Sequence, residues 1–410
     1  MISLDRIQKD FDALARLGGC AEGGCTRLAF SDEDMAARDW LVSAMTAAGL
    51  SVRIDAVGNI CGRREGDTDL PAVMLGSHLD TVPEGGHYDG VVGVLAALEV
   101  ARALNLQNVS TRRPVEVVNF SAEESSRFGL ATIGSKAMIG QLSVAVLKKL
   151  CDDRGQTLYR VLLDRGLAPD DLASAALIPG QVHAFLELHI EQGPVLEDAG
   201  VPIGVVTAIA AATRFKVVIE GHADHSGNTP MTMRKDALAA ASELVLAVEQ
   251  IAGQEAGPHT VGTVGALTVA PGAMNVIPGR VELWIDLRDI DSASKSVAVQ
   301  RVMEAMTRIA EKRGVKIGHE LICDDQPVVL SAKIRAEITA AVKTSGLASI
   351  DLPSGAGHDA MNMAAVTESG MIFIPSIDGI SHNVAERTRM EDVFFGTQLL
   401  SAATLRLADQ

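Results

Sequence analysis

The chain has 410 residues, 47% of them hydrophobic, 21% charged and 3% aromatic, an ordinary globular composition and too much chain for one compact core, so two domains are expected. Its 52 acidic and 36 basic residues leave a net charge of −16, which argues against nucleic acid or an anionic membrane as partner, since either needs a basic face and the first also needs stacking aromatics. The opening Met1-Ile-Ser-Leu-Asp-Arg-Ile-Gln-Lys-Asp10 has no leader pattern, and no apolar run approaches the ~20 residues of a membrane span, so a cytoplasmic protein is expected.

Ser31-Asp-Glu-Asp34 followed by Met35, Leu41, Val42 and Met45 predicts a capped amphipathic helix stopped by Gly49. Val52 with Ile54, Ala72 to Leu75 and Val115 to Phe120 are short β-type runs, and a helical segment from Val91 to Leu104 separates the last two. That alternation predicts an α/β fold with a mixed, largely parallel sheet. Between about 212 and 325 the pattern becomes strand (Phe215 to Ile219), helix (Lys235 to Ile251), strands (Thr260 to Val269, Val281 to Leu287), helix (Ser292 to Lys312) and strand (Val315 to Ile322). The order β-α-β-β-α-β predicts a ferredoxin-like α+β domain inserted in a larger one. After Gln326-Pro327 the α/β pattern resumes, so the outer domain is expected at 1–211 plus 326–410, with the insert at 212–325.

Cys20, Cys25, Cys61, Cys151 and Cys323 are odd in number, scattered, and without a C-x-x-C pair, so reduced thiols are expected and any metal must be held by His and carboxylates. The run Val73-Met-Leu-Gly76 leads into Ser77-His78-Leu79-Asp80, placing His78 at the carboxyl end of an apolar strand, where open α/β sheets keep their crevices. Asp80 is then expected to accept the imidazole's other N–H. Asp89, in Gly85-Gly-His-Tyr-Asp-Gly90, reads most simply as the N-cap of the following helix. Glu123 and Glu124 end the next strand. Adjacent carboxylates there repel, and either a ligand paired with a proton carrier or a solvated acidic turn satisfies them. Glu187, His189 and Glu191 share one face of a period-two run, which looks like a site, and His382 sits in a glycine loop after an apolar strand.

Together, Gly76-Ser-His-Leu-Asp80, Gly85-Gly-His-Tyr-Asp-Gly90, Glu123-Glu-Ser-Ser-Arg-Phe128, Glu187-Leu-His-Ile-Glu-Gln-Gly193, His225-Ser-Gly-Asn-Thr-Pro-Met231, Ser354-Gly-Ala-Gly-His-Asp-Ala360 and Gly379-Ile-Ser-His382 resemble the hydantoinase/carbamoylase branch of the M20 metallopeptidase superfamily. The resemblance is strongest to N-carbamoyl-L-amino acid hydrolases, with allantoate amidohydrolases and β-ureidopropionases as near relatives. It implies two divalent ions per subunit, Zn²⁺ first and Mn²⁺, Co²⁺ or Ni²⁺ as substitutes. His78, Asp89 and His189 would hold one, and the shared Asp89, Glu124 and His382 the other. It further implies Glu123 as general base, Asp80 in catalytic support, and His225, Asn275, Arg288 and Gln192 around a small ureido or amide carboxylate substrate, with Gly357 and His358 in a substrate-facing loop. A homodimer joined through the inserted domain, which also serves as a lid, belongs to the same expectation. Departures from the family pattern are Ser226 for Ala, Asp224 for Asn and Ser125 for Gly; none removes a ligand or the base.

Plainer readings stand beside these. Arg288 would ordinarily be a strand-end charge paired with Asp286 or Asp289, Asn275 a turn residue, and His183, His222, His259 and His319 surface, loop or strand residues. Other classes to weigh are an M20 aminoacylase or peptidase and an inactive metal-binding scaffold. Against the first stands His189, where many peptidases carry a carboxylate; against the second, no ligand or base is missing.

Overall fold

The computed structural model describes residues 1–21 and 23–410. The chain divides into two compact units, one of residues 1–207, 330–352 and 358–410, the other of residues 208–329 and 353–357. Among the described residues thirteen strands follow in chain order: β1 Ser51–Ile54, β2 Ile60–Arg64, β3 Ala72–His78, β4 Val115–Phe120, β5 Val182–Ile190, β6 Ile203–Ile209, β7 Ala211–Glu220, β8 Val261–Ala270, β9 Arg280–Asp289, β10 Lys316–Asp324, β11 Val328–Val329, β12 Ser349–Ser354 and β13 Glu368–Ile374.

The sheet of the first unit runs β1-β2-β4-β3-β5-β13-β6. Its centre, β4-β3-β5-β13, is parallel, and the pairs on either side are antiparallel. The fold is therefore mixed α/β with a parallel core. Burial explains the unbroken apolar runs: β3 and β4 are buried at every residue, as strands covered on both faces must be. The helix Val91–Leu106 is buried almost all round, and its valines, leucines and alanines pack with the helix Met390–Ala408 in the main core. Ser31 caps the helix Asp32–Ala47 by accepting from the Asp34 N–H, as the sequence signal predicts.

The second unit holds the antiparallel sheet β10-β7-β9-β8. The helices Ala237–Gln250 and Ser292–Arg313 share its core with Phe215, Val217, Leu283 and Ile285. Asp236 and Asp291 cap the two helices, each accepting backbone N–H bonds from the first turn. The strand and helix order is the expected β-α-β-β-α-β. Among the described residues no helix is long and apolar enough to cross a membrane.

Candidate metal centre

The carboxyl ends of β3, β4, β5 and β13 fall along one edge of the parallel core, and the loops leaving them carry the chemistry. His78, the last residue of β3, is buried, with Nδ1 2.9 Å from the backbone oxygen of Asp80. A carbonyl only accepts, so Nδ1 carries the proton and Nε2 presents a lone pair. His189 in β5 is arranged alike: Nδ1 lies 2.8 Å from the Ile190 carbonyl, and the Gly90 N–H donates to Nε2 over 3.2 Å.

Both Nε2 atoms face Asp89, whose Oδ1 is 3.1 Å from His189 and 3.8 Å from His78. Its Oδ2 is 2.9 Å from His382 Nε2, which is also 3.3 Å from Glu124 Oε1. Asp89 thus belongs to two groups, His78-Asp89-His189 and Asp89-Glu124-His382, within each of which the candidate ligand atoms lie within 4.8 Å of one another. Imidazole nitrogens aimed at a carboxylate need a cation between them, a proton on His189 and His382 when no metal is bound or a divalent ion in its place, and a thiolate-free set of imidazole and carboxylate suits zinc, manganese or cobalt. The donor set therefore fits a divalent ion in each group. Glu187, His189 and His358 meet the same distance test, but Glu187 already accepts from Ser77 Oγ at 2.7 Å and from the Ala360 N–H at 3.0 Å. Glu191 likewise serves the backbone, accepting from the Val195 and Leu196 N–H groups at 2.8 Å each. Of the three residues sharing that strand face, only His189 meets Asp89.

Two local readings change. The helix cap is Gly90, at φ 67° and with no side-chain capping bond, so the Asp89 carboxylate is left for the histidines. A β-carbon at Gly90 would overlap the His78 ring, so glycine serves both the left-handed turn and the close approach. Asp80 does not orient His78 through its carboxylate, which stands 3.8 Å from Nδ1; that task falls to its backbone carbonyl. The carboxylate instead accepts the N–H groups of Glu123 at 3.2 Å and Glu124 at 3.1 Å. Asp80 therefore holds the turn bearing both glutamates, a turn whose preceding residue, Ala122, takes φ 50°.

Charge is concentrated here. Burial, reinforced by the nearby charge of Glu124, holds the Glu123 carboxyl well above the usual range. Burial would push Asp89 the same way, but hydrogen bonds from His189 and His382 hold it well below. His382, bonded to Asp89 and Glu124, is raised to about 11. His189 is raised to about 9, its bond to Asp89 outweighing the cost of burial. Cations at this place are strongly favoured, and Glu123 is a carboxyl able to keep a proton.

The description "Peptidase family M20/M25/M40" matches residues 74–406. The chain is 42% identical over 410 residues to an N-carbamoyl-L-amino acid amidohydrolase of Geobacillus stearothermophilus, covering 100% of this chain and 99% of that protein. The chain belongs to the M20 family. A ureidoglycolate hydrolase of Arabidopsis thaliana is 41% identical over 98% of this chain and 86% of its own length. A solved amidase of the hydantoinase/carbamoylase family from Burkholderia multivorans superposes with a TM-score of 0.91 at 36% identity, covering 100% of this chain and 98% of that one. This M20 chain therefore sits in the hydantoinase/carbamoylase branch.

In this M20 chain the remaining candidates divide between the units. Gln192 and His358 lie in the first. Gln192 donates to Asp89 Oδ2 at 2.9 Å while its buried Oε1 has no hydrogen-bond partner, and the buried ring of His358 packs edge-on to His189, centroids 4.5 Å apart. His225, Asn275, Arg288 and Gly357 lie in the second. Nδ1 of His225 accepts from the Gly227 and Asn228 N–H groups at 3.0 and 3.2 Å, so a neutral ring carries its proton on Nε2. The Ser226 N–H donates to the Asn275 carbonyl at 3.0 Å, which brings those two loops together. Arg288 grips Asp286 through Nε and Nη2 at 2.9 and 3.2 Å and donates to the Gly355 carbonyl at 3.1 Å. The plain pairing with Asp286 is thus present, and it also fixes the direction of the guanidinium. One residue escapes a reading by pattern: Glu386, fully buried beside Asp89, whose only signal is a glutamate four positions after His382.

Proposed function

We propose that this chain is a metal-dependent amidohydrolase that cleaves a linear ureido or amide C–N bond. The substrate proposed first is an N-carbamoyl-L-amino acid, converted with one water to the L-amino acid, CO₂ and NH₃. The single observation that carries this is Asp89 shared by two histidine-bearing groups beside the buried Glu123. His78, Asp89, Glu124, His189 and His382 would hold two divalent ions, with zinc foremost. Such ions supply an acidified water and a polarised carbonyl oxygen. Glu123 takes the proton of the attacking water and returns it to the leaving nitrogen. His225, whose Nδ1 accepts two backbone N–H groups so that Nε2 is the donor, is assigned to the developing oxyanion, and Arg288 to the substrate carboxylate. Asn275, Gln192 and the Gly357-His358 loop are assigned to the rest of the substrate, and Asp80 to support of the Glu123 turn. The first unit is the catalytic domain in this reading, and the second serves as lid and dimerisation domain.

The test is ammonia release from N-carbamoyl amino acids, allantoate, ureidoglycolate and β-ureidopropionate, each with and without chelator. Turnover of none, or turnover indifferent to chelation in protein shown to be metal-free, overturns the reading. The Arabidopsis relative favours ureidoglycolate as second substrate, and the same screen ranks it.

Arg288→Ala is expected to raise KM strongly for carboxylate-bearing substrates and to leave metal content unchanged. Converting the substrate carboxylate to an amide should penalise wild type heavily and the variant little, a double-mutant cycle on the contact. Equal penalties would return Arg288 to the role of a strand-end charge.

We also propose a homodimer across β8. Among the described residues this strand pairs only with β9; it is largely exposed and runs Val261-Gly-Thr-Val-Gly-Ala-Leu-Thr-Val-Ala270 without a single charge. An uncharged edge of ten residues is a template for pairing with a second chain. Ala266→Lys with Thr268→Lys is expected to yield monomer by sedimentation, and an intact dimer would remove this edge from the interface.

A further inference from the structure

Glu386 is fully buried, and no lysine or arginine nitrogen lies within ion-pair distance of its carboxylate among the described residues. Its oxygens are spent on two loops that come from distant parts of the chain. Oε1 accepts the backbone N–H groups of Tyr88 at 2.9 Å and Asp89 at 3.2 Å. Oε2 accepts the Ser381 hydroxyl at 2.8 Å, and Ser381 immediately precedes His382. A β-carbon at Gly86 would overlap this carboxylate, so the glycine loop is shaped to receive it. His382 itself takes φ 54°, a conformation that a non-glycine residue keeps only when its surroundings hold it there.

We infer that Glu386 is a positioning residue that sets the separation of the Asp89 carboxylate and the His382 imidazole, and thereby tunes the Asp89-Glu124-His382 group for its ion. This rests on the two-ion reading above. The physical reason is that the two ligands share no secondary-structure element: Asp89 precedes a helix and His382 lies in a loop after β13, so nothing in local geometry fixes their distance. One carboxylate bonded to the Tyr88 and Asp89 backbone on one side and to the Ser381 hydroxyl on the other does so. His78 and His189, anchored in paired strands through β3 and β5, need no such tie.

The test uses full-length protein stripped of metal and titrated with Co²⁺ alone, followed by absorption and by elemental analysis. Wild type is expected to bind two ions. Glu386→Ala should bind the second roughly 10–100-fold more weakly, as when an outer partner of a ligand is lost. Glu386→Gln should restore most of that affinity, because its amide oxygen can accept both N–H groups and its nitrogen can donate to Ser381. Should Glu386→Ala fail to fold, Ser381→Ala removes the hydroxyl bond to Glu386 together with its contacts to Gln192 and Asp89 Oδ2, and should weaken the second ion while leaving the first, faced by Asp89 Oδ1, unmoved. A merely structural glutamate would lower the melting temperature and leave the second binding step unmoved. Two wild-type-like binding steps in the alanine variants overturn the inference. Fewer than two ions on wild type overturns the two-ion reading itself, and this inference with it.

Discussion

Glu123→Gln is expected to keep full metal content and to lose turnover by about 10²–10⁴-fold, the usual worth of a general acid–base. The amide is nearly the same size and can still accept a hydrogen bond, but it cannot take a proton from water. Its neighbour should behave in the opposite way. Glu124 lies 3.3 Å from His382, so Glu124→Gln should lower metal occupancy first and activity as a consequence. Elemental analysis beside kcat separates the two. Metal loss in Glu123→Gln with retention of both metal and rate in Glu124→Gln would exchange the roles assigned here. Asp80→Asn provides a milder case, since it disturbs the turn that aligns both glutamates without removing either.

Asp89→Ala is expected to abolish binding at both groups together, weakening each by at least about 10²-fold, the upper end of what a lost outer partner costs. The reason is that Asp89 faces His189 and His78 through one oxygen and His382 through the other. The same side chain sets the pH response of loading. His189 is raised to about 9 and His382 to about 11, so near neutral pH both rings hold a proton that an ion must displace. Affinity should therefore rise as pH rises through the neutral range, and binding should release protons. Calorimetry in buffers of different ionisation enthalpy measures that release, and none at pH 7 would contradict it. Survival of one full-affinity site in Asp89→Ala would show that the carboxylate is not shared.

Much of the architecture is determined by sequence alone, because it rests on local periodicity. The unbroken apolar runs of β3 and β4 mark strands covered on both faces, Ser31 and Gly49 bracket a helix, and the β-α-β-β-α-β succession between β7 and β10 follows from spacing alone. His78 is readable as a candidate ligand because position at the carboxyl end of an apolar strand is itself a functional signal. Directions of side chains were not readable in this way. Asp89 has the position and chemistry of a helix cap, and only the placement of three histidines around it makes it common to both candidate groups. Glu187 and Glu191 share a strand face with His189, yet Ser77, Ala360, Val195 and Leu196 take up their oxygens. Asp80 accepts from residues 43 and 44 positions away, and Glu386 from residues nearly 300 positions away. Hydrogen bonds of such separation leave no period in a sequence, since they join loops that only the packed sheet brings to one edge. The sequence thus determines which residue types are available there, and tertiary structure decides which of them meet.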